Sequence, residues 1–483
     1  MLSRRTFFAS GLAAASSGPA VRRYHLCLPP DTIDADPELL GLVRQAGVTD
    51  IWLAGFFYGR WYTAPERIAR LMRTLEHAGI APHVVNVPLG HPGDSLGTRV
   101  DHLPHWSPGV RSDGRTQWGT SLHPPATAEN AAALARLATL GVRDVFLDDD
   151  FRLARGPGII GGCFCDQHVA EFRHLHGYGD SLKADLLDAV ARRDLTPVLR
   201  AWVDYTCDQL SACFRAIQNA APRVELGIMV MYLGAEKAGI RLADYRGVPF
   251  RVGELMFEDR FFNPVKGKTD ELFSALFHRR FTDPGRAYSE TTAFPADKLS
   301  AANMAAKLAV STLSDVRHTM FMSGVLPFPR THWQTLAPAM RHHARIHARV
   351  AGHTPRGPFK HFWGERSRYV GEDKPNSLFL AAGVPFEVVD SPPRDSWTFG
   401  ERRDTPATLP DLFALKHRIL PQLARVPYVE QDKPVVCSWL PTARTALLWN
   451  LSETREEFSL VYRNHRRRVT IDPLGLAEVP DLV

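Results

Sequence analysis

Two groups of acidic residues each follow a short hydrophobic run and could carry acid–base chemistry. Asp148, Asp149 and Asp150 come directly after one run, and Glu290 ends another. Three adjacent carboxylates repel one another, which favours keeping one of them protonated, as a general acid requires. Carboxylates on two sides of a bound sugar can cleave a glycosidic bond: one protonates the leaving oxygen, and the other attacks the anomeric carbon or activates water. The structural alternatives are a helix cap or an ion pair with Arg152 for the aspartates, and an ion pair with an arginine for Glu290.

Other charged and aromatic residues near these points are candidates for contacting a sugar, whose rings stack on aromatic faces. The candidate substrate-binding residues are Asp148, Arg152, Tyr58, Trp61, Trp118, Tyr232, Glu258 and Asp259. Packing inside the protein is the alternative for the aromatic residues. For Glu258 and Asp259, a helix cap explains the sequence equally well.

Cys163, Cys165 and His168 could supply three ligands to a structural zinc ion. Their spacing is tight, and the sequence shows no fourth ligand, so a packed or free cysteine pair is the alternative. A disulfide between the two cysteines is disfavoured because the closed loop would be strained. Signatures of serine hydrolases, zinc proteases and nucleotide-binding loops are absent from the sequence. The predicted chemistry therefore requires no cofactor.

The acidic groups fall at the ends of two among eight short runs that are rich in β-branched and aromatic residues. The runs are Arg23–Leu28, Asp50–Ala54, His83–Val87, Asp144–Leu147, Leu226–Met231, Val252–Met256, Arg286–Glu290 and Thr319–Met322. Several are continuously hydrophobic, which is typical of strands buried on both faces of a parallel sheet. Helical patterns lie between them and end at glycines such as Gly79, Gly141 and Gly352.

Eight strands alternating with helices over residues 21–352 predict an α/β fold, a (β/α)₈ TIM barrel. An open doubly wound sheet is the alternative, but no glycine-rich phosphate loop follows the first strand. In a barrel the ends of strands four and seven face each other across the mouth, where function lies. We therefore expect Asp148–Asp150 and Glu290 on opposite sides of one pocket. Glu254, earlier in strand six, is expected lower in the barrel, in an ion pair.

The pattern changes after residue 352. Residues 353–432 contain a helix that runs into a strand and then a polar, proline-rich stretch. Residues 433–483 alternate in the manner of short strands and predict a small antiparallel β domain that closes the chain.

The N-terminal segment predicts export. Arg4 and Arg5 precede a weakly hydrophobic run and small residues up to Ala20, an order similar to a twin-arginine signal. We expect residues 1–20 to be removed and the protein to act in the periplasm or outside the cell. No stretch reaches about 18 uninterrupted apolar residues, so no membrane span is predicted.

Composition excludes several classes of protein. Hydrophobic residues make up 45% and charged residues 23% of the chain, as in ordinary globular proteins. The net charge of +6 comes from basic residues spread along the sequence, so no nucleic-acid partner is predicted. Six cysteines in 483 residues are too few for a disulfide framework.

The chain resembles the family 42 β-galactosidases, which are clan A glycoside hydrolases, over most of its length. The segments that carry the resemblance are Phe146–Arg152, Gly162–Cys165, Leu380–Glu387 and Asn450–Glu453. The resemblance implies an abridged Rossmann-like domain over residues 353–432 and a C-terminal β domain over 433–483. It also implies a carbohydrate substrate, a β-linked galactoside or a similar sugar, and leaves assembly into a homo-oligomer open.

Carried onto this sequence, the resemblance marks Asp149 or Asp150 as the acid/base and Glu290 as the nucleophile of a retaining double displacement. The family usually has an Asn-Glu pair at strand four, where this chain has aspartates with a shorter reach. The family's cysteine zinc cluster would be reduced here to the two cysteines and the histidine named above.

Two other interpretations stay open. In the first, one of Asp148–Asp150 is the nucleophile, as in α-galactosidase-like barrels, and Glu258 or Asp259 is the acid. In the second, the barrel binds a sugar without cleaving it.

Overall fold

The fold was analysed in a computed structural model. It describes residues 22–89, 105–148, 151–153, 159–231, 233–253, 256–324, 326–371, 377–391, 397–399, 406–423, 425–463 and 465–482. None of the helices in these ranges is long and apolar enough to cross a membrane.

Eight parallel strands form a closed barrel, as the sequence predicts. They are β1 (Arg23–Leu28), β2 (Asp50–Phe57), β3 (Ala81–Val87), β4 (Asp144–Leu147), β5 (Glu225–Met231), β6 (Phe250–Gly253), β7 (Ala287–Thr292) and β8 (His318–Met322). Each strand pairs with the next in chain order, and β8 pairs with β1 to close the ring. The described part of β6 begins two residues earlier than its hydrophobic pattern predicts, and Glu254 lies outside the described residues.

Helices surround the barrel and continue into the C-terminal region. They are α1 (Pro30–Ala35), α2 (Pro37–Ala46), α3 (Pro65–His77), α4 (Ala126–Thr139), α5 (Asp166–His176), α6 (Leu182–Arg192), α7 (Pro197–Ala220), α8 (Asp259–Phe262), α9 (Val265–His278), α10 (Ala301–Leu313), α11 (His332–Val350), α12 (Glu365–Tyr369) and α13 (Leu409–Ile419). In α3, proline stands at the first turn and Gly79 follows the end with φ +73°. Both features are the ordinary boundaries of a helix that buries one apolar face.

Alternation along the strands separates the barrel interior from the helix-facing core. Trp52, Phe146 and Met320 belong to the cluster that fills the interior. Their neighbours Ile51 and Val145 belong to the outer core under the helices. The same alternation directs polar residues of β4, β6 and β7 into the C-terminal end of the interior, where barrel enzymes have their sites.

Two further groups of strands follow the barrel. A parallel sheet has the order β10-β9-β11, formed by β9 (Phe359–Phe362), β10 (Phe386–Val389) and β11 (Trp397–Phe399). Two antiparallel sheets close the chain, with orders β12-β15-β16 and β13-β14-β17. Their strands are β12 (Tyr428–Val429), β13 (Val435–Leu440), β14 (Thr445–Asn450), β15 (Glu456–Tyr462), β16 (His465–Ile471) and β17 (Leu476–Val479). The predicted antiparallel C-terminal region is thus confirmed.

Short two-stranded ribbons and 3₁₀ turns complete the described structure. Arg60–Trp61 pairs with the end of β2, and Pro108–Val110 pairs with Thr116–Thr120 in the connection after β3. The 3₁₀ turns are Glu236–Ala238, Leu242–Tyr245, Pro284–Arg286, Ser377–Ala381, Leu420–Gln422 and Pro441–Ala443.

Candidate active site

One buried arginine joins the carboxylates of β4 and β7 inside the barrel. Arg251 Nε lies 2.7 Å from Glu290 Oε2, and Arg251 Nη2 contacts Asp148 Oδ1. The Thr292 hydroxyl donates to the other oxygen of Glu290. One guanidinium contacts both acids, so the two carboxylate oxygens that it binds lie at most about 8 Å apart. This limit, about 8 Å, is the width of the guanidinium plus the lengths of two polar contacts. The two strand ends therefore share one small polar site.

The register of the strands explains this meeting. Arg251 of β6 pairs with Tyr288 of β7, two residues before Glu290, so its side chain rises along the interior toward the carboxylates. Its guanidinium lies 5.4 Å from the centre of the Phe146 ring, which fixes the path of the side chain. Alternation in β4 puts Asp148 on the same inner face as Phe146.

The charged groups of this site are deeply buried. Arg251, Asp148 and Glu290 are each almost fully buried, at 0%, 3% and 1% exposure. Burial lowers the pKa of the Arg251 guanidinium, but the charges of Asp148 and Glu290 outweigh it and raise that pKa above its usual value. Burial, together with these carboxylates, raises the pKa of the nearby Cys27 thiol to about 12. Among the ion pairs of the described residues, Arg251 is thus the cation that Asp148 and Glu290 share.

Some predicted site residues lie outside the described residues, namely Asp149, Asp150, Tyr232 and the side chain of Trp118. Asp148 and Glu290 are brought together, as expected for the ends of strands four and seven. Arg152 follows the buried Phe151 and is itself partly exposed.

A bulge in β2 decides where its aromatic residues point. The pairing with β3 slips near the end of β2. A Cβ on Gly55 would lie 2.4 Å from Asn86 Oδ1, the oxygen that accepts a hydrogen bond from the Phe56 amide at 2.9 Å. Tyr58 is consequently buried in the interior cluster, whereas Trp61 packs edge-on against Phe56 and lines an outer groove beside α4.

Glu258 and Asp259 follow β6, but Asp259 is engaged in holding a helix. Its Oδ1 accepts hydrogen bonds from the Ser300 amide at 2.8 Å and from Asn303 Nδ2 at 2.7 Å. These contacts anchor the start of α10. Glu258 is paired with Arg260 at 2.8 Å on the protein surface. The contacts of Asp259 therefore fit the alternative interpretation of this pair, in which the residue caps a helix.

A second group of residues has the chemistry of a metal site. Cys165 Sγ lies 3.3 Å from both His123 Nε2 and His168 Nδ1, and the three ligand atoms lie within 4.8 Å of one another. Tetrahedral zinc places its N and S ligands roughly 3.3–3.8 Å apart. Cys163 contacts Cys165 but lies outside this set of mutually close atoms, and its sulfur accepts a hydrogen bond from the Val110 amide at 3.3 Å. The residues present therefore fit a zinc ion.

The N-terminal end of the barrel interior holds another polar cluster. His83 lies between two carboxylates, with Nε2 2.8 Å from Asp50 and Nδ1 3.0 Å from Asp144. Asp50 is also paired with Arg23 at 2.5 Å. His25, Asp50 and His83 are close enough for a metal. His25 Nε2, however, lies 2.8 Å from His318 Nδ1, and His25 Nδ1 accepts from Trp52 Nε1 at 3.1 Å. Hydrogen bonding inside the protein therefore accounts for this cluster.

Two residues of these sites were not identified from the sequence. Arg251 is a charged residue within a strand, and that interruption of a hydrophobic run was the available signal. His123 lies 42 positions before Cys165, and only the fold brings the two together.

No protein-family model and no curated protein sequence matches the chain. Solved structures share its fold. The β-galactosidase from Rahnella sp. R3 has a TM-score of 0.62 at 10% identity, with 95% of this chain and 98% of that chain covered. The enzyme from Halorubrum lacusprofundi gives 0.62 at 12% identity, with 95% and 99% covered. A GH42 β-galactosidase from G. stearothermophilus gives 0.61 at 9% identity, with 95% and 98% covered. The expected resemblance to family 42 is confirmed at the level of the fold.

Proposed function

We propose that the protein is a glycoside hydrolase that acts through carboxylates at the ends of β4 and β7. The observation that carries the proposal is the meeting of Asp148 and Glu290 on one buried guanidinium. Two buried acids at the ends of these strands suit a transition state that carries positive charge on the sugar. The fold shared with β-galactosidases supports the same class of reaction and a β-linked, galactoside-like substrate.

In the proposed mechanism Glu290 is the nucleophile. Arg251 and Thr292 contact its two oxygens, which orients the carboxylate. Asp149 or Asp150 donates a proton to the leaving oxygen as Glu290 attacks the anomeric carbon. The same aspartate then takes a proton from water, which releases the sugar from Glu290 with retention of configuration.

The test is hydrolysis of a panel of α- and β-aryl glycosides by the protein and by Glu290→Gln. We expect cleavage of one glycoside class and a loss of about 10³-fold in kcat in the variant, because a residue active in the transition state is removed. Glu258→Gln is the matched control and should stay active. Normal turnover by Glu290→Gln with loss in Glu258→Gln would instead support an aspartate nucleophile on β4. Sugar binding without turnover would make the barrel a binding protein.

We also propose that Cys165, His123 and His168 hold a structural zinc ion, with Cys163 beside them. Such an ion would tie the connection after β3 to the start of α5, since the ligands come from both. Elemental analysis should find about one zinc per chain and much less in Cys165→Ser. Cys213→Ser, which removes a buried thiol elsewhere, should keep the metal. If the parent protein contains no metal, the alternative interpretation, a packed or free cysteine pair, would be supported instead.

Export through a twin-arginine signal is a further proposal, supported by the sequence at Arg4 and Arg5 alone. Replacing both by lysine should leave the protein inside the cell, as measured by fractionation. The double variant Arg466→Lys and Arg468→Lys changes two exposed arginines of β16 and should be exported normally. Unchanged export of the variant with both Arg4 and Arg5 replaced by lysine would contradict this proposal.

A further inference from the structure

A segment after the barrel packs on the turn that follows β5. The strap (Trp363–Gly371, including α12) contacts the β5 turn (Gly234–Gly239) through two buried charges. Lys237 Nζ donates to the carbonyl oxygens of Gly371 at 2.6 Å and Ser367 at 3.2 Å. Beside it, Glu236 is paired with Arg368 at 2.5 Å. The strap is therefore fastened to the β5 turn by an ammonium and an ion pair.

The same turn holds the chain as it leaves β4. The Ala238 carbonyl accepts from the Leu153 amide at 2.7 Å, and the Lys237 carbonyl accepts from the Gly161 amide at 2.6 Å. The Phe151 amide donates to Met229 of β5 at 3.2 Å. Lys237 thus contacts both segments. Its backbone carbonyl binds the chain that follows β4, and its ammonium binds the strap.

The burial of Lys237 indicates a specific role for its charge. The residue is 2% exposed, and lysine is rarely this buried because the ammonium loses its hydration. Carbonyl groups near the end of α12 replace that water and carry partial negative charge. The Trp363 ring lies 5.8 Å from Nζ on another side. A neutral side chain of similar length would pack here without binding the strap.

We infer that Lys237 is a positioning residue that fixes the acid-bearing end of β4 by tying the β5 turn to the strap. The inference rests on the proposed function, in which the general acid comes from the end of β4. The C-terminal region thereby takes part in the reaction. When the strap is released, the chain that follows β4 is no longer held in place, and proton donation to the leaving group becomes slower.

The experiment compares Lys237→Met with the parent on two glycosides of the sugar found with the aryl panel. A dinitrophenyl leaving group departs without a proton, whereas a phenyl or alkyl leaving group needs the general acid. We expect kcat/KM to fall about 10-fold or more for the poor leaving group, part of the 10²–10⁴-fold that such an acid supplies. For the dinitrophenyl glycoside we expect a change of less than about 3-fold. Equal losses on both substrates, or no loss on either, would overturn the inference.

Matched variants separate positioning from general destabilisation. Arg200→Met removes an ion pair with Glu365 and the guanidinium over the Tyr369 ring. These contacts join α7 to the strap without involving the β5 turn, so the variant should change neither substrate. Lys237→Arg keeps the charge and should recover part of the loss on the poor leaving group. If Lys237→Met does not fold, Arg368→Gln cuts the other link and should show the same selective loss, more weakly; an equal loss there overturns the inference. Full activity of Glu290→Gln would overturn the proposed function instead.

Discussion

Two ionic clusters among the described residues of the barrel differ in how far they are exposed. At the N-terminal end, Arg23 and His83 contact Asp50 and Asp144, and the side chains of Arg23 and Asp144 are 42% and 31% exposed. At the C-terminal end, Arg251 contacts both Asp148 and Glu290, and all three side chains are at most 4% exposed. The N-terminal cluster is therefore partly open to solvent, whereas one buried guanidinium is shared by both carboxylates of the C-terminal cluster.

Hydrogen bonds complete the N-terminal cluster. His318 Nε2 donates to the Gly285 carbonyl at 3.0 Å, so its Nδ1 accepts from His25 Nε2 at 2.8 Å. His25 Nδ1 then accepts from Trp52 Nε1 at 3.1 Å. Burial lowers the pKa of His318 to about 4 and that of His25 well below its usual range, which keeps this chain of rings neutral.

This contrast indicates which end of the barrel is suited to chemistry. The hydrogen-bonded cluster at the N-terminal face stabilises the barrel, in keeping with the structural role of that face. Two buried carboxylates at the C-terminal face can stabilise a positively charged transition state. Substitutions in each cluster are therefore expected to have different effects.

The largest expected effect on stability is that of Arg251→Met. Removing the guanidinium leaves two carboxylates buried without their shared cation, so we expect the free energy of unfolding to fall by about 3–5 kcal/mol. Urea denaturation measures this loss. Arg23→Met is the control: Arg23 is 42% exposed, and its loss should cost about 1 kcal/mol or less. Equal losses would show that the two clusters do not differ in this respect.

A smaller effect is expected for Asp50→Asn, which removes the negative charge and one of the two accepting oxygens that Arg23 and His83 share. Hydrogen bonds to charged groups contribute about 1.5–3 kcal/mol, so we expect a loss of about 2 kcal/mol in the free energy of unfolding. Turnover per folded molecule should stay within about 2-fold of the parent. A large fall in kcat at unchanged stability would assign chemistry to the N-terminal cluster.

The smallest effect is a pH dependence that His83→Gln should remove. Burial lowers the pKa of His83, but hydrogen bonds to Asp144 and Asp50 outweigh it and raise that pKa above its usual value. A pKa raised by folding contributes stability that is full below the unfolded pKa, about 6.5, and disappears as pH rises through the folded pKa. The difference in unfolding free energy between parent and variant should therefore shrink at alkaline pH. A difference that is constant from pH 5 to 10 would contradict the ionic role of His83.

The sequence predicts the barrel well because its strands are continuous hydrophobic runs. Six of the eight predicted strands begin within one residue of the observed strands, but the third and the sixth begin two residues late. In the sixth, Arg251 interrupts the hydrophobic run from within, and its partners lie on β4 and β7, far away in sequence. Trp61 could not be placed from the sequence because it lies beyond the irregularity in β2, in a short ribbon that pairs antiparallel with Phe56. Local sequence patterns thus predict the strands and helices. The arrangement of the site depends on contacts between strands that are distant in sequence, which local patterns do not show.

Covalent labelling with a 2-deoxy-2-fluoro glycoside, of the sugar found with the aryl panel, tests directly whether Glu290 is the nucleophile. Such a reagent traps the glycosyl-enzyme of a retaining mechanism, and peptide mass spectrometry then locates the modified residue. We expect one fluoroglycosyl group on the peptide that contains Glu290 and none in Glu290→Gln. A label on the peptide that contains Asp148–Asp150 would contradict this expectation and make the end of β4 the source of the nucleophile.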